Sequence, residues 1–357
     1  MNNKATKLDF RGQVFHIGID VHKRNWRVTV LNNGLELKTF SINPSPEGLS
    51  SYLQSNYPGG EYYTAYEAGF CGYWIHRKLE SLGIKNLVVN PADIPVNFKE
   101  TVRKTDTIDS RRLARALYSN LAHGNYIPSL EQQGFRSLCR LRKQLVKDQA
   151  RVKNRIKSFL DFSGIKVISQ NEISHWSGLF LNYLSNLDLG NEHSNETLSR
   201  MLGQLMSLRN QIADLVKRLK TIVRQDEAIL RVMNNLMTIP GVGFSCAIVL
   251  YSELMDINRF SSVDKLCSYV GLVPDLRSSG ESEYTLGISK LQLQFLRAML
   301  IECSWIAIRK DPALTAAFNT LSMRMKKQEA IIRIGKKLLT RIMYVWRNNE
   351  PYICSIV

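Results

Sequence analysis

Four acidic residues stand where divalent-ion chemistry could be done. Asp20 closes the apolar run Val14-Phe15-His16-Ile17-Gly18-Ile19-Asp20, and Glu67 closes a second run, Tyr62 to Tyr66, in Tyr66-Glu67-Ala68-Gly69. Asp106 and Asp109 lie in Lys104-Thr105-Asp106-Thr107-Ile108-Asp109, at the start of a helix through Arg111, Arg112 and Leu113. Their spacing of three puts both on one helical face. Carboxylates crowded at one place repel each other unless a cation relieves them, and hard oxygen ligands select Mg2+ or Mn2+. Two such ions can activate an attacking oxygen and stabilise a leaving one in phosphoryl transfer. A single acid of this kind is ordinarily a helix cap or a surface charge. The metal reading therefore needs all four to converge without being consumed by lysine or arginine.

The elements that must position them alternate in type. Val14 to Asp20 reads as a buried strand, Trp26 to Leu31 as a second, and Asn32-Asn33-Gly34 as the hairpin turn into a third, Leu35 to Ile42. A short helix near Glu47 to Leu53 precedes a fourth strand, Tyr62 to Tyr66. A helix from Tyr73 to Leu82, ended by Gly83, leads to a fifth strand, Asn86 to Val89. Three antiparallel strands followed by alternating helices and parallel strands is the order of an α/β ribonuclease H-like domain, placed at residues 1–128. Its first and fourth strands are neighbours, so Asp20 and Glu67 should project side by side.

Composition narrows the partners. Lys plus Arg number 48 against 31 Asp plus Glu, a net charge of +17, which favours a polyanion such as nucleic acid. A basic enzyme kept soluble by its charge is the plain alternative. The 44% hydrophobic content excludes wholesale disorder. Six scattered cysteines without a CxxC pair argue against a zinc site or a disulfide framework. Met1 to Phe10 has no apolar signal-peptide core, and Ala298 to Ile308, broken by Glu302, is too short to span a bilayer. A soluble cytoplasmic protein with no membrane partner is expected.

From Glu131 the pattern turns helical. Arg136, Arg140, Lys143, Lys147 and Arg151 recur at three and four, lining one face, while Leu141, Leu145, Val152, Ile156 and Phe159 line another. Between Arg136 and Lys157 nine basic residues meet one acid, Asp148. Such crowding can be a solvated face, but the one-signed charge points to nucleic acid. Leu198, Met201, Leu205, Leu208, Ile212, Leu215, Leu219 and Ile222 then form a heptad seam, which can pair with the preceding basic helix or with another copy; self-association in a homodimer or homotetramer is expected. Residues 129–228 are thus read as a basic helix plus coiled coil. Residues 229–357 read as mostly helical. There Ile239-Pro240-Gly241-Val242-Gly243 resembles the turn of a helix-hairpin-helix, with Gly241 and Gly243 leaving N–H groups for a phosphate. A basic C-terminal helix carries Arg324, Lys326, Lys327, Arg333, Lys336, Lys337 and Arg341.

Ile17-Gly18-Ile19-Asp20-Val21-His22-Lys23, Tyr66-Glu67-Ala68-Gly69-Phe70-Cys71-Gly72-Tyr73 and the run Arg103 to Ala114 resemble the three blocks of the DEDD transposases. These are insertion-sequence recombinases related to the Piv DNA invertase, with a RuvC-like catalytic domain. Ile239 to Gly243, Gly271-Leu272-Val273-Pro274, Ser279-Gly280, Gly287 to Lys290 and Leu296-Arg297-Ala298 continue the match, which covers roughly residues 13 to 345 and is weakest between about 160 and 195. The resemblance implies that Asp20, Glu67, Asp106 and Asp109 bind the metal and that Ser279 attacks a DNA phosphate to form a phosphoserine link. Such a serine needs a metal or a base to activate it, and Arg277 or Lys290 would steady the phosphate charge. It also implies a structured guide RNA, whose backbone the basic helix would hold. Leu291 stands where the family usually has glycine. His22 and His76 are read as structural or DNA-facing. A RuvC-like nuclease using water and a non-catalytic nucleic-acid binder are the competing readings.

Overall fold

A computed structural model of the chain describes residues 9–94, 106–165, 176–279, 282–288 and 293–354; for 106, 107, 274–279 and 282–288 it describes backbone only. Two compact units divide the chain between Ile127 and Pro128. No helix among the described residues is long and apolar enough to cross a membrane.

The first unit is a mixed sheet. β1 (Val14–Val21), β2 (Trp26–Asn32) and β3 (Leu35–Ile42) form an antiparallel meander. Asn33 and Gly34, both at positive φ, make its tight turn. Helix α1 (Pro46–Asn56), capped by the Ser45 side chain, leads to β4 (Glu61–Glu67). Helix α2 (Trp74–Ser81) leads to β5 (Lys85–Val89). The strand order is β3-β2-β1-β4-β5, with β4 parallel to both β1 and β5. This is the topology expected of a ribonuclease H-like domain.

Alternation along β1 sorts its side chains between two layers. Phe15, Ile17 and Ile19 are fully buried with Leu49, Leu53, Ile75 and Leu79 of α1 and α2. The opposite face carries His16, Gly18 and Asp20, and there lies α3 (Asp106–Tyr118), across β1, β2 and β4. Its Leu113, Ala116 and Leu117 form a core with Ala65 and Val89. A buried Thr29–Ser110 hydroxyl hydrogen bond of 2.9 Å ties it to β2.

The second unit is mainly helical. α4 (Leu130–Phe162) begins with a capping box between Ser129 and Gln132. A short α5 (Gly178–Ser185) follows, then α6 (Glu192–Gln225). Val152, Ile156 and Leu160 of α4 pack with Leu198, Leu202 and Leu205 at the start of α6. Phe135 and Cys139 share a core with Leu219 and Val223 at its end. The two helices are therefore antiparallel partners within one chain. Of the two partners open to the seam, the basic helix takes Leu198, Leu205 and Leu219, where self-association was the expectation. Heptad spacing specifies an apolar stripe, not whose stripe it meets.

The core holding Phe135 and Leu219 continues without a break into α7 (Glu227–Met237), α8 (Phe244–Leu254), α9 (Val263–Val270), α10 (Gln294–Ala307), α11 (Pro312–Ser322) and α12 (Lys327–Asn348). α12 lies deepest, burying Ile334, Leu338, Leu339 and Ile342 completely. An antiparallel pair of β6 (Pro274–Ser279) and β7 (Ser282–Ile288) interrupts the helices in a region read as mostly helical.

Gly18 sets how closely α3 can approach. A Cβ there would stand 2.0 Å from the Ser110 carbonyl oxygen and 2.5 Å from the Ala114 nitrogen, backbone atoms that cannot swing aside. Gly18→Ala is expected to cost about 3 kcal/mol or more, as overpacking does when backbone must shift. A thermal melt should show the first unit's transition lowered by roughly 10 °C.

Candidate active site

The four acids divide by element. β1 and β4 pair in parallel up to Ile19 opposite Tyr66, so the next residues, Asp20 and Glu67, stand at the same end of neighbouring strands. Gly18 and Ala65, two residues earlier on each strand, meet α3, and alternation gives Asp20 and Glu67 that same face. Asp109 sits in the first turns of α3, its side chain 14% exposed. Asp106 opens the same helix, and its side chain lies outside the described residues, as does Lys104 entirely.

One guanidinium joins two of these acids. Arg112 Nη2 lies 2.7 Å from Glu67 Oε1 and 3.3 Å from Asp109 Oδ1. Asp20 Oδ2 is 3.0 Å from His22 Nε2. Glu67 and Asp109 thus meet at one guanidinium, while Asp20, on the same face of the sheet, pairs with His22. The requirement that they escape basic partners is not met: Arg112 occupies the place between Glu67 and Asp109. No group of three or more His, Cys, Asp or Glu among the described residues is close enough to hold a metal ion.

The donor set nevertheless fits a hard cation. Carboxylates from adjacent strand ends and a facing helix offer oxygen alone. Arg112 itself is strained for partners, since its Nε is buried and makes no hydrogen bond among the described residues. A cation with two carboxylates around it and one unsatisfied donor can be displaced by an ion of higher charge density. Arg112 was not among the site residues expected from sequence. Its position three residues after Asp109 was the available signal.

The basic face of α4 is partly turned inward. Arg136 donates from Nε to the Ser252 carbonyl and from Nη2 to that of Glu253. Arg140 forms a two-bond fork, 2.8 Å each, with the carboxylate of Glu253, which is only 1% exposed. Lys143 stands 3.3 Å from the centre of the Phe295 ring. Burial, aided by the charge of Lys147, holds its ammonium below the usual lysine range. The face expected to hold nucleic acid thus splits. Arg136 and Arg140 anchor α4 to α8, because Glu253 would otherwise be a buried unpaired charge. Lys147 and Arg151 remain exposed, Arg151 in a surface pair with Asp148.

A cavity of about 460 Å³ opens where α4, α8 and α10 meet, lined among others by Arg142, Lys143, Lys147, Gly243 and Ser245. The turn between α7 and α8 runs through Gly241, at φ +87°, where a Cβ would lie 2.3 Å from the Cys303 carbonyl oxygen. Gly241 therefore serves close packing against α10. Gly243 caps α8 without a side-chain hydrogen bond to the first turn, and Arg142 donates to the Ser245 hydroxyl at 2.9 Å. Ser279 ends β6 opposite Ser282, and Arg277 pairs with Tyr284. The side chains of Ser279 and Arg277 lie outside the described residues, as do Gly280, Lys290 and Leu291 entirely.

A ribonuclease H-like sheet with acids at two strand ends and on the covering helix defines the nuclease and recombinase class. Comparison with known proteins narrows it. Residues 17–164 match a transposase family model, and residues 233–319 match the model described as transposase, IS116/IS110/IS902 family. The transposase of insertion sequence element IS1533 of Leptospira borgpetersenii is 24% identical over 94% of this chain and 96% of its own. That of element IS1111A of Coxiella burnetii is 26% identical over 80% and 78%. The pilin gene-inverting protein of Moraxella bovis is 31% identical over 33% of this chain and 37% of its own. The chain thus carries transposase domains of the IS110/IS116/IS902 family.

Two outcomes follow. Arg112→Gln should weaken the ion-free first unit by about 1–2 kcal/mol, as loss of charged hydrogen bonds does. The same change should enlarge the rise in melting temperature that MnCl2 produces, read by paired melts with and without the salt. Glu253→Ala should cost about 3–5 kcal/mol by leaving two guanidinium groups without their buried acid. Urea unfolding would measure it, and a loss below 1 kcal/mol would show that α4 is anchored otherwise.

Proposed function

We propose that this transposase cuts and rejoins DNA through a serine-linked intermediate, with Asp20, Glu67, Asp106 and Asp109 holding Mg2+ or Mn2+ and a structured RNA guiding it. The reading is supported by Asp20 and Glu67 standing on one face of the sheet, with Asp109 on the helix that covers that face and one guanidinium away from Glu67. Family membership supports DNA as the substrate. Bound there, divalent ions supply charge for a phosphate's developing negative oxygens.

The chain's own residues do the rest. Ser279 Oγ forms a bond to a DNA phosphorus as the bond to the strand's oxygen breaks. The serine proton passes to a base or solvent, and the departing oxygen is protonated. A strand hydroxyl then attacks the phosphoserine, restoring Ser279 and sealing the new junction. Arg277 and Lys290 balance charge on the phosphoryl oxygens. Were Glu67 and Asp109 to hold an ion instead, Arg112 would be free to pair with a phosphate. Lys104, Lys143, Lys147 and Arg151, with the uncapped N–H groups after Gly243, hold nucleic-acid backbone. Assembly as a homodimer or homotetramer would use the middle of α6 about Ile212, since Leu208 and Leu215 pack against the chain's own cores.

Donor and target DNA, with RNA transcribed from the sequence flanking the gene, provide the test. Ser279→Ala should abolish the covalent protein–DNA band on a denaturing gel and lower strand exchange about a thousandfold or more. Asp20→Asn should lower exchange comparably while leaving DNA binding intact. Cleavage that persists in Ser279→Ala would assign the reaction to water. Undiminished exchange in Asp20→Asn would remove the metal site.

A further inference from the structure

The loop that follows Glu67 exposes two large aromatic side chains. Phe70 is 65% exposed and Trp74, at the start of α2, is 51% exposed. Single exposed hydrophobic residues are common and need no explanation. These two differ in their company. Lys23, from the loop after β1, holds its ammonium 5.9 Å from the Phe70 ring centre. The loops leaving Asp20 and Glu67 are therefore in contact at one edge of the sheet. Arg24, beside Lys23, is exposed as well. An exposed ring with one ammonium beside it, on the loop that leaves Glu67, suits a ligand that is flat, uncharged on its faces and attached to phosphates.

We propose that Phe70 and Trp74 form a stacking platform for an unpaired base of the DNA strand entering the carboxylate site, with Lys23 and Arg24 against its phosphates. The proposal rests on the phosphoryl-transfer reading for the strand's identity. It adds a binding site on which that reading does not depend. Bases inside a duplex present edges but not faces, so a platform of exposed rings can grip a base only after it leaves its stack. Phosphoryl transfer at a junction demands such local opening. Stacking beside Glu67 would hold the opened strand in register with the acids, and because every base has a π-face it would do so without choosing sequence. Sequence choice would be left to base pairing elsewhere.

The test uses the full chain in EDTA, so that binding is read without turnover. Fluorescence anisotropy measures a DNA single strand of about 15 nucleotides, the duplex of the same sequence and the matching RNA strand. Phe70→Ala and Trp74→Ala should each weaken single-stranded DNA binding about fivefold or more. The double variant should lose more, the duplex should be bound as before, and Phe70→Tyr should restore affinity. Trp26 and Trp176 are buried and Trp74 is the one tryptophan of five that is exposed, so single-stranded DNA should quench wild-type emission by an amount missing in Trp74→Phe. That measurement also covers the case of an alanine variant that fails to fold. Unchanged single-strand affinity in the double variant, equal losses on strand and duplex, or a loss confined to RNA would each overturn the platform. Failure of the metal reading looks different: Asp20→Asn would leave Mn2+ binding untouched while the aromatic variants still lost single-stranded DNA.

Discussion

Helix α3 can rest on the sheet only because residue 18 lacks a side chain. The contact is backbone against backbone, with the Ser110 carbonyl lying where a β-carbon would stand. Everything chemical in the first unit follows from that distance. Asp20 lies two residues beyond Gly18, and Asp109 is the residue before Ser110. A helix lifted by even one methyl group would carry Asp109 and Arg112 away from Glu67, and interiors packed this closely do not absorb such a shift elsewhere. The glycine is a spacer that fixes the separation between a strand's acid and a helix's acid.

Bringing acids together in this way creates a charge problem, and the chain solves it locally. Arg112 bridges Glu67 and Asp109, and His22 meets Asp20. These pairs are only partly buried, so solvent weakens them, and an arginine with an unsatisfied Nε is a poor permanent partner. Excess positive charge elsewhere does not help, because +17 spread over 357 residues is screened within about 10 Å at ordinary ionic strength. The second unit shows the opposite solution. Glu253 is almost fully buried and is held by a two-bond fork from Arg140, with Arg136 bonded to the adjoining carbonyls. An acid saturated in this way has no capacity left for an ion. The two clusters share residue types and differ in what their arginines leave unsatisfied.

The first unit was legible in the sequence because its signals are local. Alternating apolar residues, the Asn33-Gly34 turn and acids at run ends specify strands, a hairpin and strand termini, and the sheet order confirms them. What could not be read there was Arg112, whose partner Glu67 is 45 residues away. The basic helix shows the same limit more sharply. Spacing placed Arg136, Arg140 and Lys143 on one face, and that face exists, but periodicity does not say which part of it another helix will cover. Glu253, more than a hundred residues on, decided it. The heptads on α6 were equally true as a pattern and silent about their partner, which proved to be α4 of the same chain. The β6–β7 pair escaped notice because Pro274 to Ile288 is rich in serine, glutamate and glycine, residues with weak strand preference, amid strong helical periodicity on both sides.

The correction at α4 sharpens the role left to the rest of that helix. With Arg136 and Arg140 committed to α8, the cations still available are Lys143, Lys147 and Arg151 farther along, and Arg142 at the uncapped end of α8. Lys143 already carries the mark of this crowding, its charge disfavoured by burial and then by Lys147. An anion placed beside them would relieve that repulsion and gain the unpaired N–H groups after Gly243 in one step. The same glutamate that withdraws two arginines from the surface therefore holds α4 in register with the α8 terminus. The anchored half of the basic helix positions the half that remains free.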